Sequence, residues 1–273
     1  MQTLIIGANG NLGNEIAKQL SKTETVKAGV RKEKNFLNAE KVENVIFDYD
    51  KTDTYNQALN GVDKVFIQAP PLDAQAFERM TPFINTLKEK GINRIVFNSA
   101  WGVDHNEDAP LRKLERKFMN DGFDYTFTRP NFFIENFTSG FSSRLLQNDN
   151  VVVHNAADAK LTFVSIKDIA EVVVKVFKDK KHIGKEYNLS GKEALSHQEV
   201  ADFFSRKMNT DIHNVALSAQ DMKSGAMENG LPESVADYLV MLYNIASEGH
   251  MSHQSDDIKN ILGREPRTFN EIV

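Results

Sequence analysis

The sequence predicts an α/β protein built on a doubly wound parallel sheet, and three observations carry the prediction. Short apolar runs alternate with helix-period segments as far as Pro130. The chain opens on one such run, residues 3–6, which breaks into a turn spaced by Gly7, Gly10 and Gly13. Another run ends in Pro70 and Pro71, which can neither extend a ladder nor enter a helix interior, so a connecting segment must follow.

Residues 3–6 read as a buried strand, and the segment after the glycines places Ile16, Ala17 and Leu20 on one helical face. Gly7 permits a sharp exit from the strand, Gly10 lets a phosphate approach the backbone, and Gly13 lets the helix lie against the strand. The free N–H groups of the first helical turn then face an anion. A second strand over 25–30 completes a βαβ unit, so a dinucleotide is the expected ligand.

Arg31, Lys32, Glu33 and Lys34 come next, where such a unit meets the adenosine ribose. An acidic side chain there would accept from a ribose 2′-hydroxyl, whereas Arg31 and Lys32 attract a 2′-phosphate. NADP(H) is therefore expected in preference to NAD(H), with Arg31 carrying most of the contact, against the alternative of a solvated basic loop.

Residues 45–47 read as a third strand ending in Asp48, Tyr49 and Asp50, 52–59 as a short helix closed by Gly61, and 62–69 as a fourth strand. Ligands of open parallel sheets lie beyond the carboxyl ends of the strands, so Asp48 and Tyr49 are expected to border the adenine, and Ala69 and Pro70 the ribose. A helix over 74–89 presents Phe77, Met80, Phe83, Ile84 and Leu87 at core spacing. A fifth strand over 94–97 opens into Asn98, Ser99, Ala100, Trp101 and Gly102. The charged residues 104–108 read as a solvent-facing loop rather than a metal site. A helix over 110–120 and a sixth strand over 125–129 end this half at Pro130.

The chain then turns aromatic at 131–137. Residues 151–154 and 161–164 read as a hairpin around Ala156, Ala157 and Asp158. Ser165 is expected to cap a helix over 166–177 with Asp168 in its first turn, and Ser196 a helix reaching Lys207. A short strand over 212–216 and a helix over 232–246 follow. The division expected is a nucleotide-binding domain, residues 1–145, and a smaller α/β C-terminal lobe, residues 146–273, partly interleaved with the sheet. His250 and His253 lack a third ligand nearby in sequence, so no metal is expected.

A formal net charge of -5 leaves no dominant basic face for nucleic acid, and the expected partner is a small molecule, with a homodimer possible in principle. The absence of cysteine excludes disulfides, thiolate catalysis and cysteine zinc sites. No apolar run approaches the ~20 residues that cross a bilayer. With a strand beginning at residue 3 there is no room for a signal peptide, and a cytoplasmic location is expected.

The segments GANGNLG at 7–13, GVRK at 29–32, FDYDKTDTYNQALNGVDKVF at 47–66 and DYTFTRPNFFIENF at 124–137 have a common bearing. So do FVSIKDIAEVV at 163–173, YNLSGKEALSHQEVA at 187–201, GLPESVADYL at 230–239 and SDDIKNILGREPRTF at 255–269. Over essentially its whole length the chain resembles the NmrA-like branch of the atypical short-chain dehydrogenases, and within it the NAD(P)H:quinone oxidoreductase group. The resemblance implies a Rossmann-type domain binding NADP(H), a smaller lobe closing a cleft, and reduction of quinones or similar flat conjugated acceptors. It assigns Gly7, Gly10, Asn11, Leu12 and Gly13 to the pyrophosphate, Arg31 to the 2′-phosphate, and Ala69 and Ser99 to the nicotinamide side. Asn131, Phe132 and Phe133 fall on the substrate-side loop. Asn9 stands where many relatives carry threonine and, like it, can hydrogen-bond locally.

Alcohol-oxidising short-chain dehydrogenases carry a tyrosine and, four residues later, a lysine. Counting back from Glu115 puts these at Glu107 and Leu111, and neither can do that work. Lys113 is out of register and reads as a solvated helix residue. Reducing a ketone creates an alkoxide, whose conjugate acid resembles water near ~15.7, whereas hydride addition to a quinone creates a phenolate-like anion of pKa about 10. The missing acid therefore favours a quinone, stacked among Trp101, Phe132 and Phe133 with Asn131 donating to its oxygen. The alternative is a non-catalytic NADP(H)-binding redox sensor that regulates a partner protein, which the absent dyad fits equally well.

Overall fold

The computed structural model describes residues 1–33, 37–139 and 141–273, so Lys34 of the basic run lies outside the described residues. The first half runs β1 (Gln2–Ile6), α1 (Asn11–Leu20), β2 (Thr25–Val30), β3 (Val42–Ile46), α2 (Asp53–Leu59), β4 (Lys64–Gln68), α3 (Ala76–Glu89), β5 (Arg94–Asn98), α4 (Pro110–Asn120) and β6 (Asp124–Pro130). The second runs α5 (Phe141–Asn148), β7 (Val151–His154), α6 (Ile166–Lys178), β8 (Lys185–Leu189), α7 (His197–Met208), β9 (His213–Ala216), α8 (Ala219–Glu228), α9 (Glu233–Ser247), α10 (Asp257–Leu262) and α11 (Phe269–Ile272).

Seven strands form one parallel sheet in the order β3-β2-β1-β4-β5-β6-β8. Chain order reverses direction between β1 and β4, which opens a crevice beyond their carboxyl ends. Alternation along the strands sends Val65 and Ile67 to one face and Phe66 to the other. On the first face Leu4 and Ile6 meet Tyr55 of α2, Phe83 of α3 and Phe118 of α4. On the second, Ile5 and Phe66 meet Ile16 and Leu20 of α1, Val173 of α6 and Ile258 of α10. A third cluster, including Phe137, Phe163, Phe204, Tyr243 and Phe269, joins the segment after β6 to the second half of the chain. Among the described residues no helix is long and apolar enough to cross a membrane.

Three expectations need correction. The sheet has a seventh strand, β8, which sequence pattern did not reveal because KEYNL is an edge strand whose burial rises only at Leu189. The third strand lies at Val42–Ile46, earlier than 45–47. Residues 151–154 and 161–164 do not form a hairpin: β7 pairs in parallel with β9, Leu161 bridges to Leu195, and Val164 to Phe133. The hairpin reading failed because strand propensity marks a segment as pairable without naming its partner.

Both expected caps are present. Ser165 Oγ accepts from Lys167 N, and Ser196 with Glu199 makes a reciprocal capping box on α7. Asp168 does more than favour the α6 dipole. Fully buried, it accepts from Arg264 Nη2 at 2.6 Å and Arg267 N at 2.7 Å and pairs with the Arg267 guanidinium, tying the C-terminal segment to α6.

Candidate functional site

The glycine turn between β1 and α1 is built by backbone contact. Gly7 has φ +70°, a left-handed conformation, and a Cβ on it would lie 2.4 Å from Gln68 Nε2. That amide donates to Ile6 O at 3.0 Å, tying the carboxyl ends of β1 and β4 together. A Cβ on Gly13 would lie 2.3 Å from Gly7 O, so glycine is what lets α1 start this close to the strand. Gly10 N donates to the same oxygen at 2.9 Å.

The first helical bond is Asn14 N to Gly10 O at 2.8 Å, so the amides of Asn11, Leu12 and Gly13 precede the α1 ladder. Gly10 supplies no side-chain cap to them. These donors and the positive end of the helix dipole suit a diphosphate. Leu12 contributes only backbone, since its side chain is core. Asn9 is exposed at the turn, and Asn11 Nδ2 donates to Ser139 Oγ at 3.0 Å, reaching the segment beyond β6.

Arg31 and Lys32 are exposed just beyond β2, and among the described residues neither has a hydrogen-bond or ion-pair partner. Asp48 follows β3 and accepts from Asp50 N at 3.1 Å. Tyr49 is turned inward: its ring packs on Phe47 and Phe83, and its hydroxyl donates to Gln68 O at 3.1 Å. Ala69 and Pro70 are half-buried at the end of β4.

Ser99 stands one residue beyond β5. Its amide donates to Thr128 O at 2.8 Å, yet its hydroxyl, on a residue only 5% exposed, has no partner among the described residues. A buried hydroxyl without a partner is uncommon, and this one lies at the carboxyl end of a strand, where open parallel sheets bind ligands.

The other acceptor-side residues are more committed than expected. Asn131 spends its whole amide internally: Nδ2 donates to Thr162 Oγ1 at 2.7 Å and Met251 O at 2.9 Å, and Oδ1 accepts from Phe132 N at 2.8 Å. This corrects its expected role as a donor to the acceptor. Trp101 Nε1 donates to His250 O at 3.1 Å. Trp101 and Phe132 lie at the edge of the third cluster, with Phe132 5.5 Å from the Tyr243 ring, whereas Phe133 packs on the α1–α6 cluster. The three rings therefore do not share one packing environment.

At the position expected for the dehydrogenase tyrosine, Glu107 pairs with Arg116 and Arg112, which hold its carboxyl down at about 2, the Arg116 hydrogen bond most of all. Leu111 packs on the core, and Lys113 is 44% exposed. Sequence reasoning missed a buried network beside them. Fully buried Glu115 accepts from Arg129 Nε at 2.8 Å, Arg129 Nη2 at 2.7 Å and Arg112 Nη1 at 2.8 Å. Arg129 also reaches Asp104 at 2.9 Å and pairs with Glu186. Asp104 is thus an anchored residue, and its bond pins the turn that follows Ser99 and Trp101. The available signal was Arg129 itself, a cation in an interior strand of a parallel sheet, where burial demands counter-charges. Among the described residues no group of three potential metal ligands occurs.

Comparison with known proteins gives a consistent result. The NmrA-like family model matches residues 2–273. The prestalk A differentiation protein A of Dictyostelium discoideum is 28% identical, covering 100% of this chain and 91% of that protein. An NAD(P)H azoreductase of Xenophilus azovorans is 27% identical over 99% of this chain and 96% of its own length. The crystal structure of the Escherichia coli NADPH-dependent quinone oxidoreductase QOR2 with NADPH superposes with a TM-score of 0.85, at 24% identity, covering 99% of this chain and 98% of that one.

Proposed function

The chain belongs to the NmrA-like family, and from that membership we propose that it is an NADPH-dependent oxidoreductase that passes a hydride to a quinone or a similarly flat conjugated acceptor. The observation that carries the reading is the cradle at the β1–α1 turn, where any side chain at Gly13 would collide with Gly7 O at 2.3 Å and the first-turn amides stand open. The azoreductase and the quinone oxidoreductase among the similar proteins support the choice of acceptor, and the NADPH bound to the latter supports the choice of donor.

The cradle fits a dinucleotide. Gly7, Asn9 and Gly10 with the amides of Asn11, Leu12 and Gly13 would hold the diphosphate, and Arg31 with Lys32 the 2′-phosphate. Asp48 would border the adenine, Ala69 and Pro70 the ribose, and Ser99 would hydrogen-bond on the nicotinamide side. When bound, the nicotinamide supplies the hydride. The C-terminal lobe, residues 146–273, would close the acceptor side, with Trp101 and Phe132 as apolar surface. With Asn131 engaged elsewhere, the Ser99 hydroxyl is a free donor on this side, and Glu107 and Leu111 supply no acid. Such a site suits an acceptor that delocalises its new charge, because a phenolate-type anion of pKa about 10 survives until water protonates it.

Mixing the protein with NADPH and 1,4-benzoquinone or 1,4-naphthoquinone, and following loss of reduced nucleotide, tests the reading. Oxidation faster than the protein-free rate supports it. Calorimetric binding of NADPH with no turnover of any quinone or azo dye would replace it with the redox-sensor reading, and no binding at all would remove the nucleotide site.

A further inference from the structure

The segment between α9 and α10 crosses the carboxyl ends of three neighbouring strands in sheet order. Beyond β5, His250 O accepts from Trp101 Nε1 at 3.1 Å. Beyond β6, Met251 O accepts from Asn131 Nδ2 at 2.9 Å and from Thr162 N at 3.0 Å. The Thr162 hydroxyl, which accepts from Asn131 at 2.7 Å, lies 3.1 Å from His253 O and 3.3 Å from Met251 O. Beyond β8, Ser255 N donates to Ser190 Oγ at 2.9 Å. The ends of β5, β6 and β8 are thus strapped by one backbone, while those of β1 and β4 belong to the glycine turn.

The fastening is buried and polar. Thr162 is fully buried, Asn131 is 4% exposed and Met251 5%, while the imidazoles of His250 and His253 stand in solvent. Burying an amide and a hydroxyl has a desolvation cost that an apolar pair would avoid, and what such a network adds is a fixed position. The position fixed is that of residues 250–253 beyond the ends of β5, β6 and β8, against Trp101.

We propose that this strap is the wall against which the acceptor is placed, and that Asn131 and Thr162 are positioning residues that set its height and hence acceptor selectivity. The proposal rests on the quinone-reductase reading and deepens it by naming what shapes the acceptor side. Among the described residues the nucleotide end shares no hydrogen bond with the strap, so the two ends separate experimentally.

The chain has a single tryptophan, Trp101, which itself fastens the strap, so its emission reports acceptor arrival without turnover. Thr162→Val removes the hydroxyl at nearly constant shape, and Thr162→Ser restores it. For Thr162→Val, quenching of Trp101 by 1,4-naphthoquinone in the NADP+-loaded protein and the naphthoquinone KM both weaken about fivefold, with the calorimetric Kd for NADPH held within about twofold. Thr162→Ser behaves as the parent protein. Unchanged naphthoquinone binding in Thr162→Val, or equal loss of naphthoquinone and NADPH, overturns the proposal. If Thr162→Val fails to fold, Ser190→Ala, which releases the strap beyond β8, gives the same split in KM values or overturns the proposal in the same way. A parent protein that binds NADPH but neither reduces nor is quenched by any quinone sinks the underlying reading, and the strap proposal with it, through a different arm of the experiment.

Discussion

Two helical glycines should respond to alanine in opposite ways. A Cβ on Gly13 meets Gly7 O at 2.3 Å, Gly7 C at 2.8 Å and Ala8 Cα at 3.0 Å, all backbone atoms that cannot rotate aside. Ordinary contact begins about 1 Å farther out, so α1 must retreat by that amount. A Cβ on Gly225, inside α8, meets nothing within 4 Å. Both substitutions gain the ~0.8–1 kcal/mol by which alanine exceeds glycine in a helix. That gain cancels between them and leaves the overpacking cost, about 1–3 kcal/mol, as the difference. At roughly 2–4 °C per kcal/mol, Gly225→Ala should melt several degrees above Gly13→Ala. Retreat of α1 also carries the amides of residues 11–13 away from the crevice, and a displacement of ~1 Å should weaken NADPH binding by at least about tenfold. Thermal melts and calorimetric titration of both variants measure this. A Gly13→Ala protein as stable as Gly225→Ala, with parental NADPH affinity, would refute the cradle.

Arg31→Ala should weaken NADPH binding by about 1.5–3 kcal/mol and leave NADH nearly unchanged; equal losses in parallel titrations would show that the exposed guanidinium reads no phosphate. Glu115→Gln leaves Arg129 buried without its main counter-charge and should cost about 3–5 kcal/mol in urea unfolding; a loss below about 1 kcal/mol would mean that Asp104 and Glu186 suffice. His197, 1% exposed, stacks 4.0 Å from the His154 ring and among the described residues has no partner for either nitrogen, so burial first and His154 second lower its pKa to about 3. Around these rings lie Tyr243 and Phe163, with Asp158 acting on His154 and Asn214 bonding it. Native His197 is neutral, so its contribution is whole above pH 6.5 and erodes as pH falls from there towards 3. The slope approaches about 1.4 kcal/mol per pH unit, near 2 kcal/mol by pH 5. His197→Phe should flatten the melting temperature over pH 7 to 5, and a variant tracking the parent would place the acid sensitivity elsewhere.

What the sequence disclosed was local, and what it concealed depended on distant partners. The β1–α1 turn could be read because Gly7, Gly10 and Gly13 lie within a single supersecondary unit whose geometry their spacing specifies. The caps at Ser165 and Ser196 could be read for the same reason. The partner of β7 could not, since β9 lies beyond α6, β8 and α7, and the alternation of Val151–His154 suits any neighbour. Nor could the pairing of Arg129 with Glu115, Asp104 and Glu186, because buried charges declare their need for counter-ions but not which ones. Asn131 shows the difference at the site. Its place after β6 put it at the crevice, and only its three internal hydrogen bonds reveal that the amide holds protein rather than ligand.

That reassignment bears on the chemistry. On the proposed reading the acceptor side is assembled largely from groups already satisfied: Asn131, the Trp101 indole, and the carbonyls of His250, Met251 and His253 all have their partners. The Ser99 hydroxyl, without a partner among the described residues, can hydrogen-bond a developing oxyanion but is a weaker acid than the dehydrogenase tyrosine, and the two positions where a dehydrogenase keeps its acid and its lysine hold an ion-paired glutamate and a packed leucine. What such a site can do is fix distance and orientation, through the Arg129–Asp104 bond under the Ser99–Trp101 segment and the strap above it. Positioning alone serves a substrate whose reduced form carries its own charge comfortably and fails one whose alkoxide must be protonated as it forms. Under the proposed function, a preference for conjugated acceptors would follow from the same buried bonds that hold these loops in place.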